Sequence, residues 1–179
     1  MTLSGKSYRI YINYIEKNTF EVEEGNPVYS DTDGVLYEKL EDGTKKLVRY
    51  PRIAGPSFVI PEDVTVIGQQ AFSTFSGNEL TISKNVKKIE SLAFEYTEFK
   101  KITLLSTLTD VANDAFKPNP GRPQEDSTFW ADEWVISDAA AKMTSDSFYN
   151  VIVPYQLPRS KVNNNIYYKV TWMKDVTDL

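Results

Sequence analysis

Two short segments of this 179-residue chain carry residue types spaced as chemistry would require. Asp31-Thr32-Asp33-Gly34 sets two carboxylates two positions apart ahead of a glycine, the way many calcium loops begin. An EF-hand needs a third ligand before the glycine and a glutamate further on. Both are missing, so the segment reads as a turn in which aspartate and glycine serve the backbone. Phe129-Trp130-Ala131-Asp132-Glu133-Trp134 places two indole rings beside two carboxylates, which offers a sugar flat apolar faces and hydrogen-bond acceptors. The same rings can instead cover the end of a core, and Tyr149, Tyr155, Tyr167, Tyr168 and Trp172 carry the same pair of readings.

Catalysis has little to draw on. The chain has no cysteine and no histidine. That removes thiolate nucleophiles, Cys-ligated zinc, Ser-His-Asp triads, HExxH sites and imidazole proton shuttles. The 25 Asp and Glu residues could in principle pair as acid and base, but no spacing selects a pair. SxxK, GxSxG, GxxxxGK[ST] and GxGxxG are all missing, so no enzyme, metal or cofactor is expected. A net charge of −5 and a pI near 4.9 argue against nucleic acid or an anionic membrane surface as partner. Lys84, Lys87, Lys88, Lys100 and Lys101 make a small basic group that reads as a solvated face, and Pro118, Pro120 and Pro123 could present a linear motif to a partner, though spacing is all that suggests it. No apolar run is long enough to span a membrane. Met1–Lys6 lacks the apolar stretch of a signal peptide, so a cytosolic chain or a trimmed segment is expected.

The elements that must position any binding residue are set by a repeat. Phe58–Phe72, Leu80–Phe94 and Ile102–Phe116 align without a gap at a period of 22. Six columns are apolar in all three copies: Phe58/Leu80/Ile102, Ile60/Ile82/Leu104, Val64/Val86/Leu108, Ile67/Ile89/Val111, Ala71/Ala93/Ala115 and Phe72/Phe94/Phe116. With 41% apolar residues the coincidence has a chance on the order of 10⁻⁷ before choice of register. Alternation at the start of each copy predicts a strand with one buried face. The later apolar steps of four, three and four make the chain turn corners and return to one axis. The columns Thr65/Lys87/Thr109 and Gln69/Ser91/Asn113 are polar and should face water. No coil buries its apolar face alone, so stacking must do it. With 23 aromatics, 13% of the chain, strands are favoured over long helices.

The arrangement Ile60-Pro61…Val64…Ile67…Ala71-Phe72 resembles the BspA-type leucine-rich repeats of bacterial surface proteins. Asn26-Pro27-Val28-Tyr29-Ser30-Asp31-Thr32-Asp33-Gly34-Val35-Leu36-Tyr37 followed by Leu47-Val48-Arg49-Tyr50-Pro51 is similar to that family's hairpin unit. Gly34 and Gly43 supply its turns, and Val35 and Tyr37 face Leu47 and Val48 across Glu41-Asp42-Gly43. There are departures. The coils are one residue shorter than the family's commoner form, Phe75 and Thr97 stand where a cysteine is frequent, and the third copy has Leu104-Leu105 in place of Ile-Pro.

The fold expected is mainly β: a right-handed leucine-rich-repeat solenoid of 22-residue coils with short helical turns, a β-hairpin unit and end caps. Residues 1–57 form the N-terminal strand and hairpin cap, 58–116 the three repeats, and 117–179 a loop, a degenerate repeat and a C-terminal cap. In that last part the Pro-rich Lys117–Asp126 breaks the period, Trp134-Val135-Ile136 reads as another coil strand, and Asp138–Met143 as a short helix. Ser147-Phe148 sits where a degenerate Ala-Phe pair belongs, Val151–Pro154 resembles a last coil strand, and Ile166–Met173 alternates as a closing strand, as Tyr8–Tyr14 does at the other end. The resemblance implies an exported, cell-surface or secreted bacterial protein that binds or adheres to protein or glycan, possibly host-derived, and a monomer is expected. Partner contacts are expected at the exposed strand positions Val59, Thr81 and Thr103, in the Lys117–Asp132 loop, and at Trp130 and Trp134. The alternative is a spacer or stalk segment that holds other domains apart.

Overall fold

The structure is a computed structural model and describes residues 8–13, 19–51, 55–106, 108–115, 130–137 and 169–173. Thirteen strands account for its regular structure, and no helix occurs among the described residues. A two-stranded antiparallel hairpin comes first, β1 (Ile10–Asn13) with β2 (Thr19–Val22). Next come β3 (Tyr29–Thr32), β4 (Val35–Lys39) and β5 (Lys45–Arg49), with β4 antiparallel to β3 and β5 antiparallel to β4. The three aligned copies then contribute strand pairs: β6 (Ser57–Val59) and β7 (Val64–Ile67), β8 (Ser76–Ile82) and β9 (Lys88–Ile89), β10 (Glu98–Leu104) and β11 (Asp110–Val111). β12 (Trp130–Ser137) and β13 (Lys169–Met173) follow.

These strands make two larger sheets. One has the order β13-β12-β10-β8-β6 and is parallel throughout. The other has the order β11-β9-β7-β5-β4-β3, in which the repeat strands and β5 run parallel and the hairpin strands antiparallel. Partners sit 22 residues apart wherever two repeats meet: Phe58 with Leu80, Leu80 with Ile102, Val66 with Lys88, Lys88 with Asp110. β12 keeps the same parallel pairing, but Trp134 lies opposite Ile102, 32 positions earlier. The ten extra residues match the length of the Pro-rich segment Lys117–Asp126, so a fourth strand rejoins the stack after one inserted loop's worth of chain.

The core lies between the two sheets. Of the six apolar columns, every described member is buried except Phe58 and Val111, which pack against the cluster half-buried; Phe116 lies outside the described residues. Val35, Tyr37, Leu47 and Tyr50 of the hairpin unit belong to the same cluster, so hairpin and repeats share one core. The polar columns are exposed or half-buried at all six positions. Aromatic rings run along the axis. Phe94 stacks on Phe72 with centroids 5.2 Å apart and planes 2° from parallel, and Tyr50 continues the column at 5.4 Å from Phe72. Tyr50 lies 22 residues before Phe72 and fills the slot of the repeat phenylalanine. Phe75, at one of the two positions where the family often has cysteine, closes a side cluster with Tyr50 at 4.9 Å and Phe99 at 5.3 Å.

The corners are hydrogen-bonded from coil to coil outside the strands. Tyr50 donates its N–H to the Ala71 carbonyl, Phe72 to Ala93 and Phe94 to Ala115, at 2.8 to 2.9 Å. The short helical turns expected at these corners are instead non-helical turns at 69–74 and 91–96. The cause is local: Gln70, Thr74, Leu92 and Tyr96 have φ of 53 to 64°, left-handed values that interrupt right-handed helical winding on each side of the phenylalanine. The closing strand of the tail is present as β13 at the sheet edge. The expected features at Asp138–Met143, Ser147-Phe148 and Val151–Pro154 lie outside the described residues.

Both hairpin glycines sit at positive φ, Gly34 at 77° and Gly43 at 83°. They differ in surroundings. A Cβ on Gly34 would fall 2.5 Å from Thr19 Cβ and Cγ2, whereas one on Gly43 meets open space. Gly43→Ala is therefore expected to cost about 1 kcal/mol, the left-handed penalty alone, and Gly34→Ala upwards of about 2 kcal/mol in denaturant unfolding. Equal costs at the two sites would contradict the packing of Gly34 on Thr19. Phe94→Ala removes a ring buried in the central coil and is expected to cost about 3–5 kcal/mol, read as a lowered denaturation midpoint. A loss under about 1 kcal/mol would refute the ring column as a main support of the stack.

Candidate functional site

Alternation along the five-stranded sheet sorts its residues onto two faces. Phe58, Leu80 and Ile102 form an inward row, so the residues on either side of each belong to the outer face. The register aligns two outer rows across all five strands. One is Val59–Thr81–Thr103–Val135–Thr171 and the other Ser57–Glu79–Lys101–Glu133–Lys169. At a strand spacing near 4.8 Å each row is about 19 Å long. The first is entirely β-branched. In the second, Glu79 stands opposite Lys101, an order in which neighbouring strands attract.

Exposure is uneven along the β-branched row. Val59 is 65% exposed, Thr81 is half-buried, and Thr103 is 5% exposed. Thr103, expected at an exposed position, is thus buried. Val59 stands on the edge strand with a row neighbour on one side only, while Thr103 is flanked by Thr81 and Val135, and Val135 is buried as well. The accessible part of the face lies at β6 and β8, where Ser57, Val59 and Glu79 are exposed.

The second candidate region divides differently. Residues 117–129 lie outside the described residues, and 130–132, expected to be loop, are the first residues of β12. Register puts Trp130 opposite Glu98 and Trp134 opposite Ile102, so Trp134 and Val59 stand on different rows of the sheet. Tyr149, Tyr155, Tyr167 and Tyr168 lie outside the described residues. The Asp31–Gly34 segment is a turn: Asp33 has φ of 51°, and Asp31 Oδ1 accepts the Val22 N–H at 2.9 Å, which ties β2 to the hairpin. Of the basic group, Lys84 pairs with Glu62 at 3.1 Å and Lys88 with Asp110 at 3.1 Å.

A family model described as BspA type leucine rich repeat region (6 copies) matches residues 54–121. Among solved structures, a leucine rich cell surface protein of Faecalibacterium prausnitzii A2-165 is similar over 84% of this chain and 41% of its own length, at 20% identity and a TM-score of 0.44. The pneumococcal vaccine antigen PcpA is similar over 86% of this chain and 49% of its own, at 15% identity and a TM-score of 0.34. The chain thus spans less than half the length of either. No curated protein sequence matches.

Sequence reasoning missed several polar groups of the repeat coils and their hairpin. Glu95 is buried and accepts from Gln70 Nε2 at 2.9 Å and Ser73 Oγ at 3.5 Å. Its main-chain carbonyl takes the Thr74 N–H at 2.9 Å, so one residue holds the preceding coil's left-handed corner at two points. Thr97, at the other frequent cysteine position, is buried and donates its hydroxyl to the Phe72 carbonyl at 3.0 Å. Arg49 reaches the Gln70 carbonyl in the same way. The Asn26 side chain accepts from the Val28 and Tyr29 N–H groups, both at 2.9 Å, which explains the asparagine that opens the hairpin unit. These contacts have a faint signal in the sequence: each crosses close to one 22-residue period or closes a local Asn-Pro turn. All of them organise backbone, and none creates a reactive group.

Among the described residues, the groups held above their ordinary values are two phenols and one ammonium, all of which titrate at alkaline pH. Burial pushes the Tyr37 phenol well above its ordinary range, with the Asp63 and Asp33 charges adding to the effect, and burial raises the Tyr50 phenol too. Burial opposes charge on Lys46, but hydrogen bonds and attraction from Glu90 at 3.2 Å and Glu38 at 3.5 Å outweigh it and hold the ammonium above its usual value. A raised pKa in the folded state means that the unfolded chain loses its proton first. The stabilisation is complete below the unfolded values, about 10 for Tyr and 10.4 for Lys, and is lost as pH climbs past them. Without histidine or cysteine, stability measured by denaturant unfolding is expected to be flat between about pH 6 and 9 and to fall above about pH 10. Tyr37→Phe should make that fall shallower; an unchanged slope would show that Tyr37 does not drive it.

Proposed function

We propose that this chain is a non-enzymatic binding or adhesion module of a bacterial cell-surface or secreted protein, and that it engages protein or glycan through the outer face of its five-stranded sheet. The observation that carries this reading is the exposed part of the outer face, where Ser57 stands in register with Glu79 and Val59 with Thr81 on β6 and β8. A partner meets a firm, repetitive surface of mixed character, with Val59 as an exposed apolar anchor beside Glu79 and Ser57. Strand backbones hold these side chains at fixed spacing, so little ordering cost opposes binding. The BspA-type repeat region, a repeat of bacterial surface proteins, supports the same reading. So does a composition that supplies neither thiol nor imidazole for catalysis.

The contact patch centres on β6 and β8 rather than on all three positions of the repeat column, because Thr103 is buried. The test is a glycan and host-protein array probed at micromolar concentration, with Val59→Glu alongside the unmodified chain. At least one class of spots is expected to bind, and Val59→Glu should weaken it by tenfold or more while leaving the unfolding midpoint within about 0.5 kcal/mol. A blank array, or binding indifferent to Val59→Glu, would count against this face.

A further inference from the structure

Outside that face, the largest uncovered apolar feature among the described residues is β1. Ile10, Tyr11 and Ile12 are consecutive in one strand and are 39%, 47% and 44% exposed, so both faces of β1 are accessible. β1 belongs to a two-stranded sheet, and among the described residues its strand neighbour is β2. An apolar edge strand without proline, bulge or inward charge is a template for another strand.

The hydrogen-bond parity of the hairpin identifies which backbone groups face that edge. Glu23 donates its N–H to the Arg9 carbonyl, and the register continues Tyr11 opposite Glu21 and Asn13 opposite Thr19. Odd-numbered residues of β1 therefore direct their backbone groups towards β2, and Ile10 and Ile12 direct theirs to the open edge. On β2 the corresponding outward groups are Phe20 and Val22, and both are already used: Phe20 donates to the Gly34 carbonyl at 3.0 Å and Val22 to Asp31 Oδ1 at 2.9 Å. The hairpin is thus closed on the β2 side by the β3–β4 turn and open on the β1 side.

The sequence says what fits there. Tyr8-Arg9-Ile10-Tyr11-Ile12-Asn13-Tyr14 reads almost the same in both directions about Tyr11, with Ile10 matched by Ile12, Arg9 by Asn13 and Tyr8 by Tyr14. We propose that β1 pairs antiparallel with β1 of a second copy of this chain across a two-fold axis at Tyr11. In that register Ile10 of one copy lies opposite Ile12 of the other, and those are the residues whose backbone groups face the edge. The centre of the sequence symmetry and the parity of the free groups coincide, which a shift by one residue would destroy. Arg9 meets Asn13, so no like charges oppose each other. The pairing makes a four-stranded sheet in the order β2-β1-β1-β2 and uses up the open edge, so assembly stops at two copies. One short strand buries less than a stable interface requires, which places the dissociation constant in the range of roughly 10–500 µM.

The absence of native cysteine gives a clean test. Across the axis the two Tyr11 residues are a non-hydrogen-bonded pair with Cα atoms about 4.5 Å apart, within the reach of a disulfide. Tyr11→Cys is expected to give a covalent dimer under mild oxidation, at least tenfold faster than Val59→Cys, which is exposed on another sheet. The unmodified chain should sediment as monomer and dimer in concentration-dependent exchange. Tyr11→Lys and Tyr11→Glu should each be monomeric alone, and an equal mixture should recover the dimer. A chain that stays monomeric at about 0.5 mM, oligomers beyond two, or Tyr11→Cys linking no faster than Val59→Cys would each overturn the proposal.

Discussion

The structure depends on one constraint: each coil must present its backbone at a fixed height to the next. Strand pairing alone does not impose this, because parallel strands could slip by two residues and keep their faces. The corners remove that freedom. Phe72 donates to Ala93 and Phe94 to Ala115, so the coil-to-coil ladder continues around the turn where no strand exists. A side chain larger than alanine at Ala71, Ala93 or Ala115 would push the coils apart, since all three are fully buried. The rings beside them then stack at ring-contact distance. An ungapped period of 22 is the sequence-level trace of that requirement, and the left-handed corners are part of what meeting it takes.

Much of this was legible because stacking multiplies each signal by the number of coils. Six columns recur three times, so the buried positions and the first strand of each copy could be located from apolar spacing, whereas the second strand set, β7, β9 and β11, was read as corners. The Pro-rich insertion could be bounded by its prolines and glycine, and its ten residues match the offset between β10 and β12. Features that occur once, or that live in the backbone, left little trace. Tyr50 is the first ring of the aromatic column and lies one period before Phe72, but Arg49 precedes it where the repeats have alanine, which hides its kinship with them. Left-handed φ at Leu92 and Tyr96 has no signature in residue types that usually avoid it. Thr103 occupies the same column as Val59, and period alone cannot distinguish a central strand from an edge.

That last difference follows from how the N-terminal hairpin is attached. β3, β4 and β5 extend the sheet of β7, β9 and β11, and the shared core of Tyr37, Leu47 and Tyr50 covers the first coil from that side. They add no strand to the other sheet, which begins at β6. One cap therefore finishes one sheet and leaves the other with an edge. The burial gradient from Val59 to Thr103 is a consequence of that asymmetry rather than of residue type, since valine is the more apolar of the two and is the more exposed.

The same asymmetry separates β6 from β1, the exposed strands of two different sheets. β6 is three residues long and follows Pro56, so it offers an approaching strand little backbone, and its exposed side chain points to recognition through the sheet face. β1 has the opposite character: a symmetric apolar strand, backbone groups facing an edge, and a partner strand whose outward N–H groups are already taken on its far side. Face and edge call for different chemistry, side-chain complementarity in one case and main-chain hydrogen bonds in the other. They lie on different sheets, so occupation of β1 by a second copy leaves the β6–β8 face available. Two such faces in one particle would raise avidity for a repetitive surface without any new contact to it.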